Sequence, residues 1–310
     1  MNSAFPVKML RNIRDLSRIP SSLNAKLFYL QQKTMIKLNP WRFMKTFRRV
    51  FPDFTEQTRF INSGNWDTLI ILDACRYDTF EKIVHEFLDG EILRVKSPAS
   101  MTICWLRRTW HRVYKDTIYV SAHPMVNSSV PIDGFYARKK FLKVIDVWRY
   151  HFDDFYSTTP PWAMNSVLPR LLALCKIYKY KTGKRPRLVL HYVQPHFPYI
   201  GSIKAIRIAK EAKELMHQLG LKHFEYCYAV LIRFIEEFNG DIEALARFLR
   251  DSYERTLRLT LKHLSLILET LDGRIVITSD HGELLGEHGL FFHPGLLLPE
   301  LRFVPWFKVR

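Results

Sequence analysis

The run Ile275-Val276-Ile277-Thr278 leads straight into Ser279-Asp280-His281-Gly282-Glu283, and no other stretch limits the fold as much. Four consecutive apolar or β-branched residues have no polar face. They predict a strand buried on both sides, as in a parallel sheet covered by helices. The strand runs into an acid beside a histidine, a hard oxygen next to an imidazole nitrogen, and that pair suits a divalent metal. Gly282 predicts a sharp backbone turn after it. Alone, the same residues read equally well as a strand-end Asp and a surface His.

Residues 68–78 repeat the pattern: Thr-Leu-Ile-Ile-Leu, then Asp73. Arg187 to Val193 is a third core strand, and Gln194-Pro195-His196 leaves its end. Shorter strands are predicted at 93–95 and 117–121. Helices are predicted over Asp78–Leu88, Thr102–Tyr114 and Ser166–Tyr178, with one or two more in 203–238. A long helix is predicted over Asp241–Leu271, where Ile242, Leu245, Leu249, Leu257, Leu264, Ile267 and Leu271 form a stripe and Asp241 is the N-cap. Residues 122–160 read as irregular. The alternation predicts an α/β fold, a doubly wound, mostly parallel sheet with helices on both faces. In such sheets ligands gather outside the carboxyl ends of the strands, so Asp73 and the Asp280–His281 pair fit one site.

In order and spread these segments resemble the alkaline phosphatase superfamily, and within it the sulfatase-like hydrolases and phosphotransferases. Members have an early strand ending in a metal-binding acid, a Ser, Thr or modified Cys nucleophile at a helix start, a mid-chain Pro-His-x-Pro and a late Asp-His-Gly. Here the counterparts are Asp73, the 97–105 region, Pro195-His196-Phe197-Pro198, and Asp280-His281-Gly282-Glu283. Phe303-Val304-Pro305-Trp306-Phe307 resembles the family's returning strand. The resemblance implies Asp73, Asp280 and His281 as ligands of a divalent metal (Zn, Mn, Mg or Ca). It implies Thr102, or next Ser100, as a nucleophile that passes through a covalent ester. An N-cap hydroxyl is the bland alternative for either. His196 and His293 would contact substrate, His293 standing where sulfatases have a Lys. Arg76 would clamp an ester oxygen, or else pair with Asp78. His191 reads as a core histidine.

Cys104-Trp105-Leu106-Arg107-Arg108 lacks the Pro or Ala of the sulfatase nucleophile motif, and Ala74 stands where a second early acid is usual. The pattern therefore looks more like the lipid-linked phosphotransferase branch, the phosphoethanolamine and lipoteichoic-acid type enzymes. The expected activity is hydrolysis or transfer of phosphate or phosphodiester esters, with sulfate esters second. The expected substrate is lipid- or glycan-linked. The alternative is a catalytically silent member of the fold that binds an anionic glycan or lipid.

Of the formal net charge of +17, +10 lies in residues 1–50, where eleven Lys and Arg face the single acid Asp15. The reading is a basic lead-in over 1–60, with a helix at 23–38, followed by the catalytic domain over 61–310. An anionic membrane surface is the expected partner of that lead-in, and a solvated basic face is the equal alternative. No helix-turn-helix, zinc knuckle or RNA-binding signature accompanies the charge, so nucleic acid is not an expected partner. Four cysteines without CxxC spacing read as reduced, mostly buried thiols. With neither a membrane span nor a signal peptide in the sequence, the expectation is a cytoplasmic protein, peripheral to a membrane at most.

Overall fold

The computed structural model of the chain describes residues 55–219 and 226–310. The expected basic lead-in, with its helix at 23–38, lies almost wholly outside them. The chain divides into two compact units, the larger built from Pro52–Ile206, Asp251–Leu284 and His293–Arg310.

The larger unit is organised on a seven-stranded sheet. Its elements are α1 (Glu56–Ser63), β1 (Thr68–Leu72), α2 (Tyr77–Ile83), β2 (Gly90–Lys96), α3 (Thr102–Thr109), β3 (Tyr114–Ser121), β4 (Phe141–Asp146), α4 (Val147–His151), α5 (Trp162–Thr182), β5 (Arg187–Tyr192), β6 (Ile275–Thr278) and β7 (Phe303–Val309). The strand order is β2-β7-β6-β1-β5-β3-β4. β1 pairs in parallel with both β5 and β6, and β3 with both β4 and β5. Only β7 runs against its neighbours β2 and β6.

The apolar runs behave as residues between two helical layers should. Leu69, Ile71, Val189 and Val276 point to one face, with Trp66, Trp105, Trp110 and Trp306. Ile70, Leu72, Leu188, Leu190 and Ile277 point to the other. There Leu257, Leu261 and Leu264 of a long helix, α8 (Ile242–Leu268), cover them. Both faces of β1 are therefore dry, and every residue of β1 is buried.

The other unit, among the described residues, takes 207–219, 226–250 and 285–292. It holds most of α6 (Ile203–Leu219), α7 (Tyr226–Glu237) and the start of α8. Arg207 bridges Glu211 and Glu237, each at 2.7 Å. Asp241 caps α8 as expected, its Oδ1 accepting the Ala244 N–H at 2.9 Å.

Residues 122–160 are not irregular throughout: they contain β4 and α4. β4 is an edge strand with exposed Leu142 and Lys143, so it lacks the continuous apolar run that marks the central strands. The predicted helix 102–114 stops at Thr109. Trp110 turns into the core there, edge-on to Trp105, Tyr114 and Phe141, and Tyr114 already starts β3. Of the four cysteines only Cys75 is fully buried, and Cys104, Cys175 and Cys227 are partly exposed.

One buried side chain ties three elements together. Gln57 of α1 donates to Thr278 Oγ1 at 2.9 Å and to the Ser279 carbonyl at 2.5 Å, and accepts from Trp105 Nε1 of α3 at 2.9 Å. Replacing it by Leu strands a buried indole N–H and a buried carbonyl. Gln57→Leu should therefore lower stability by about 2–4 kcal/mol in urea unfolding. A loss below about 0.5 kcal/mol would mean that these partners find other bonds.

Candidate metal centre

Four parallel strands lie side by side in the order β6-β1-β5-β3. Their registers align the ends: Ile71 faces Thr278, Leu72 faces Tyr192, and Ser121 faces His191. The chain leaving each strand therefore enters the same region at the carboxyl edge. β6 delivers Asp280 and His281, β1 delivers Asp73, β5 delivers His196 and β3 delivers His123. Asp73, Asp280 and His281 are all fully buried.

The first turn after β1 is strained. Ala74 has φ 59°, a left-handed conformation that costs an L-residue roughly 1–2 kcal/mol. Two side chains hold it there. Asp280 Oδ1 accepts the Ala74 N–H at 3.1 Å, and the Tyr253 hydroxyl donates to the Ala74 carbonyl at 2.8 Å. After β6, Gly282 is required for a reason the sequence did not reveal. A Cβ there would lie 2.0 Å from the Glu300 carbonyl oxygen, so close backbone approach rather than turn conformation demands glycine.

The tautomer of His281 follows from its bonds. Nδ1 lies 2.7 Å from the Gly282 carbonyl, which can only accept, so Nδ1 carries the proton and Nε2 a lone pair. Around Nε2 stand Thr102 Oγ1 at 3.2 Å, Asp280 Oδ2 at 3.4 Å and Asp73 Oδ1 at 3.6 Å. Zinc bonds of about 2.0–2.2 Å in a tetrahedron set ligand atoms roughly 3.3–3.6 Å apart. The three oxygens thus stand from Nε2 at close to the separation of two ligands on one ion. Asp280 Oδ2 and both oxygens of Asp73 are buried without a hydrogen-bond partner. Buried carboxylates left this way are costly unless a cation answers them. Burial, then the charges of Asp280 and Glu283, push the Asp73 pKa well up, and burial holds His281 neutral by pushing its pKa well down.

Thr102 opens α3, yet its hydroxyl does not cap that helix: Met101 is the N-cap, and no side chain makes a cap hydrogen bond. The hydroxyl turns to His281 instead. The preceding loop is stapled to the β6 end, where Ser97 Oγ donates to the Asp280 carbonyl. Ser100 is buried in the same loop but does not make the contact with His281 that Thr102 makes.

His196, Glu283 and His293 form a second group whose ligand-capable atoms lie within 4.8 Å of one another. His293 Nδ1 meets Glu283 Oε1 at 2.8 Å. Burial depresses the His293 pKa most strongly, but the charge and hydrogen bond of Glu283, with the Asp280 charge, together leave it raised. His196 Nδ1 donates to the Phe197 carbonyl, so its Nε2 is a lone pair, and burial lowers its pKa. Ring centroids of His293 lie 4.7 Å from His281 and 4.9 Å from His196, so the two groups adjoin.

Arg76 makes the pairing with Asp78 that was its alternative reading. Its Nε and Nη2 take both Asp78 oxygens, at 2.9 and 2.6 Å, and its Nη1 donates to the Glu283 carbonyl at 3.1 Å. His191 is a core histidine, fully buried and joined to the Tyr119 hydroxyl at 2.9 Å. Glu283 and His123 were not singled out in the sequence. Glu283 sits inside the Asp-His-Gly-Glu motif. His123 is two residues past β3, so the same strand-end logic applied to a third strand would have found it.

No protein-family model matches the chain, and no curated protein matches it in sequence. Solved structures do resemble it. The soluble domain of lipooligosaccharide phosphoethanolamine transferase A from Neisseria meningitidis is 14% identical over 77% of this chain and 75% of its own, with a TM-score of 0.45. A periplasmic domain named EcEptC from Escherichia coli, solved in complex with Zn, is 12% identical over 80% and 74%, with a TM-score of 0.41. A lipoteichoic acid synthase from Listeria monocytogenes is 12% identical over 83% and 71%, with a TM-score of 0.39. At such identities the likeness assigns no activity to this chain.

The raised pKa of Asp73 makes the metal-free protein pH-sensitive. Below the unfolded-state value of about 3.9 the acid is protonated in both states. As the pH rises past that value toward the raised folded value, the unfolded chain releases the proton first, and stability falls. Asp73→Asn removes this loss. In EDTA the variant should be more stable than wild type near neutral pH, by about 0.5–2 kcal/mol, with the gap shrinking toward acid in chemical denaturation. A variant less stable than wild type near neutral pH would show that the carboxylate is already compensated.

Proposed function

We propose that the chain is a metal-dependent phosphotransferase or phosphohydrolase acting on phosphate mono- or diesters, with Thr102 as nucleophile. The observation that carries this is the Thr102 hydroxyl, 3.2 Å from His281 Nε2, the nitrogen that also faces the buried carboxylates of Asp73 and Asp280. Asp73, Asp280 and His281 would hold the cation. A divalent ion there supplies a lowered hydroxyl pKa and a polarised ester oxygen.

The chain's own groups do the rest. Thr102 Oγ, its proton released to solvent water, attacks phosphorus. An O–P bond forms and the bond to the leaving alcohol breaks. His293, kept protonated by Glu283, stands beside the cluster to donate to the leaving oxygen or to hold a phosphoryl oxygen. His196 presents its Nε2 to the same region. Water or a second alcohol then attacks the phosphothreonine, which makes the enzyme a hydrolase or a transferase respectively. Phosphate esters rank above sulfate because Leu106 breaks the sulfatase motif after Cys104, and Thr102, not Cys104, faces the cluster. A lipid- or glycan-linked ester is the proposed substrate, in keeping with the branch that the motifs resemble.

Hydrolysis of p-nitrophenyl phosphate, bis-p-nitrophenyl phosphate and p-nitrophenyl sulfate tests the reading. With Zn or Mn supplied, Thr102→Ala should lose at least about a thousandfold of the wild-type rate, and Ser100→Ala should keep most of it. Acid-quenched wild type should carry phosphate on the peptide holding Thr102. Full activity in Thr102→Ala would remove Thr102 as the nucleophile.

A further inference from the structure

His123 has no role in the site described so far, yet it stands against one of the ligands. The Ser121 hydroxyl fixes its backbone on both sides, accepting the His123 N–H at 3.1 Å and donating to its carbonyl at 2.8 Å. The ring lies against His191, with centroids 5.8 Å apart and planes 20° apart. The Met125 N–H donates to His123 Nδ1 at 3.1 Å. Nδ1 is therefore the lone-pair nitrogen, and in a neutral ring the proton must sit on Nε2. Nε2 is 3.2 Å from Asp73 Oδ2. The other oxygen, Oδ1, is the one on the His281 side, 3.6 Å from Nε2 of that residue.

We propose that His123 is a positioning residue for Asp73: its Nε2 stands beside Oδ2, and its proton takes that oxygen when a cation takes Oδ1. In this structure Asp73 Oδ2 accepts no hydrogen bond; reorientation of the carboxylate as Oδ1 is drawn onto a cation would form the one from His123. A nitrogen that carries this proton has no lone pair to give a metal. His123 is therefore not a ligand, although it is an imidazole a few ångströms from one. Its partner relation to Asp73 is that of an outer-shell donor, which sets a ligand's orientation and limits it to one metal bond. The inference rests on the reading of Asp73, Asp280 and His281 as a cation site.

Two variants of the full chain separate the possibilities. His123→Gln can place an amide N–H near the position of Nε2. His123→Phe keeps the ring and its packing on His191 but has no donor. Zn and Mn affinities are measured by calorimetry on metal-free protein. His123→Gln should bind within about threefold of wild type, and His123→Phe about 10–100-fold more weakly. Independently, nitrogen NMR of histidine-labelled wild type should show the proton on His123 Nε2 before and after metal is added. Equal affinity of wild type and His123→Phe would overturn the role. So would loss of the Nε2 proton on adding metal together with equal weakening in both variants, since His123 would then be a ligand. A wild type that binds neither metal would overturn the cation site itself and this inference with it.

Discussion

Asp73, Asp280 and Glu283 are three carboxylates with no exposed surface, gathered at one end of a parallel sheet. Burying one such charge is expensive, and three that repel one another need compensation from close by. Glu283 has His293. Asp280 spends one oxygen on the backbone N–H groups of Ala74 and His281. What remains, Asp280 Oδ2 and Asp73, faces the lone pair of a neutral imidazole. Asp73, Asp280 and His281 form a buried group that could hold a metal ion, and the surrounding structure keeps that group in place.

That service is visible in the supports. Tyr253 and Asp280 hold Ala74 in a left-handed turn, so Asp73 leaves β1 at the required angle. Gln57 clamps the β6 end to α1 and α3, and Ser97 staples the loop before α3 to Asp280. Thr102 is thereby set beside His281 by a packed core rather than by a mobile loop, as a preorganised site requires. The division of labour between the two histidine groups follows from burial and charge. His281 and His196 are neutral with a free lone pair, and His293 holds its proton through Glu283.

Much of this was legible in the sequence because it depends on local pattern. Apolar runs ending in Asp73 and in Asp280-His281 gave both the parallel strands and the edge at which they act. The order of the motifs then fixed which residues meet. What was hidden depends on tertiary detail. β4 looks like loop because an edge strand exposes part of its length. Gly282 reads as a turn residue, but the Glu300 carbonyl is what requires it. Arg76 could not be told from an anion clamp until its fork was seen on Asp78. His123 carries no motif; strand-end logic reaches it just past β3, and the register of β3 against β5 then shows it beside Asp73.

The central claim is that a cation belongs among Asp73, Asp280 and His281. Anomalous diffraction from crystals grown with zinc tests it most directly. The account predicts a peak about 2.0–2.2 Å from His281 Nε2 and from an oxygen of each aspartate, with Thr102 Oγ1 close enough to share it. Well-ordered crystals with no peak there, or with zinc only at His196, Glu283 and His293, would contradict it.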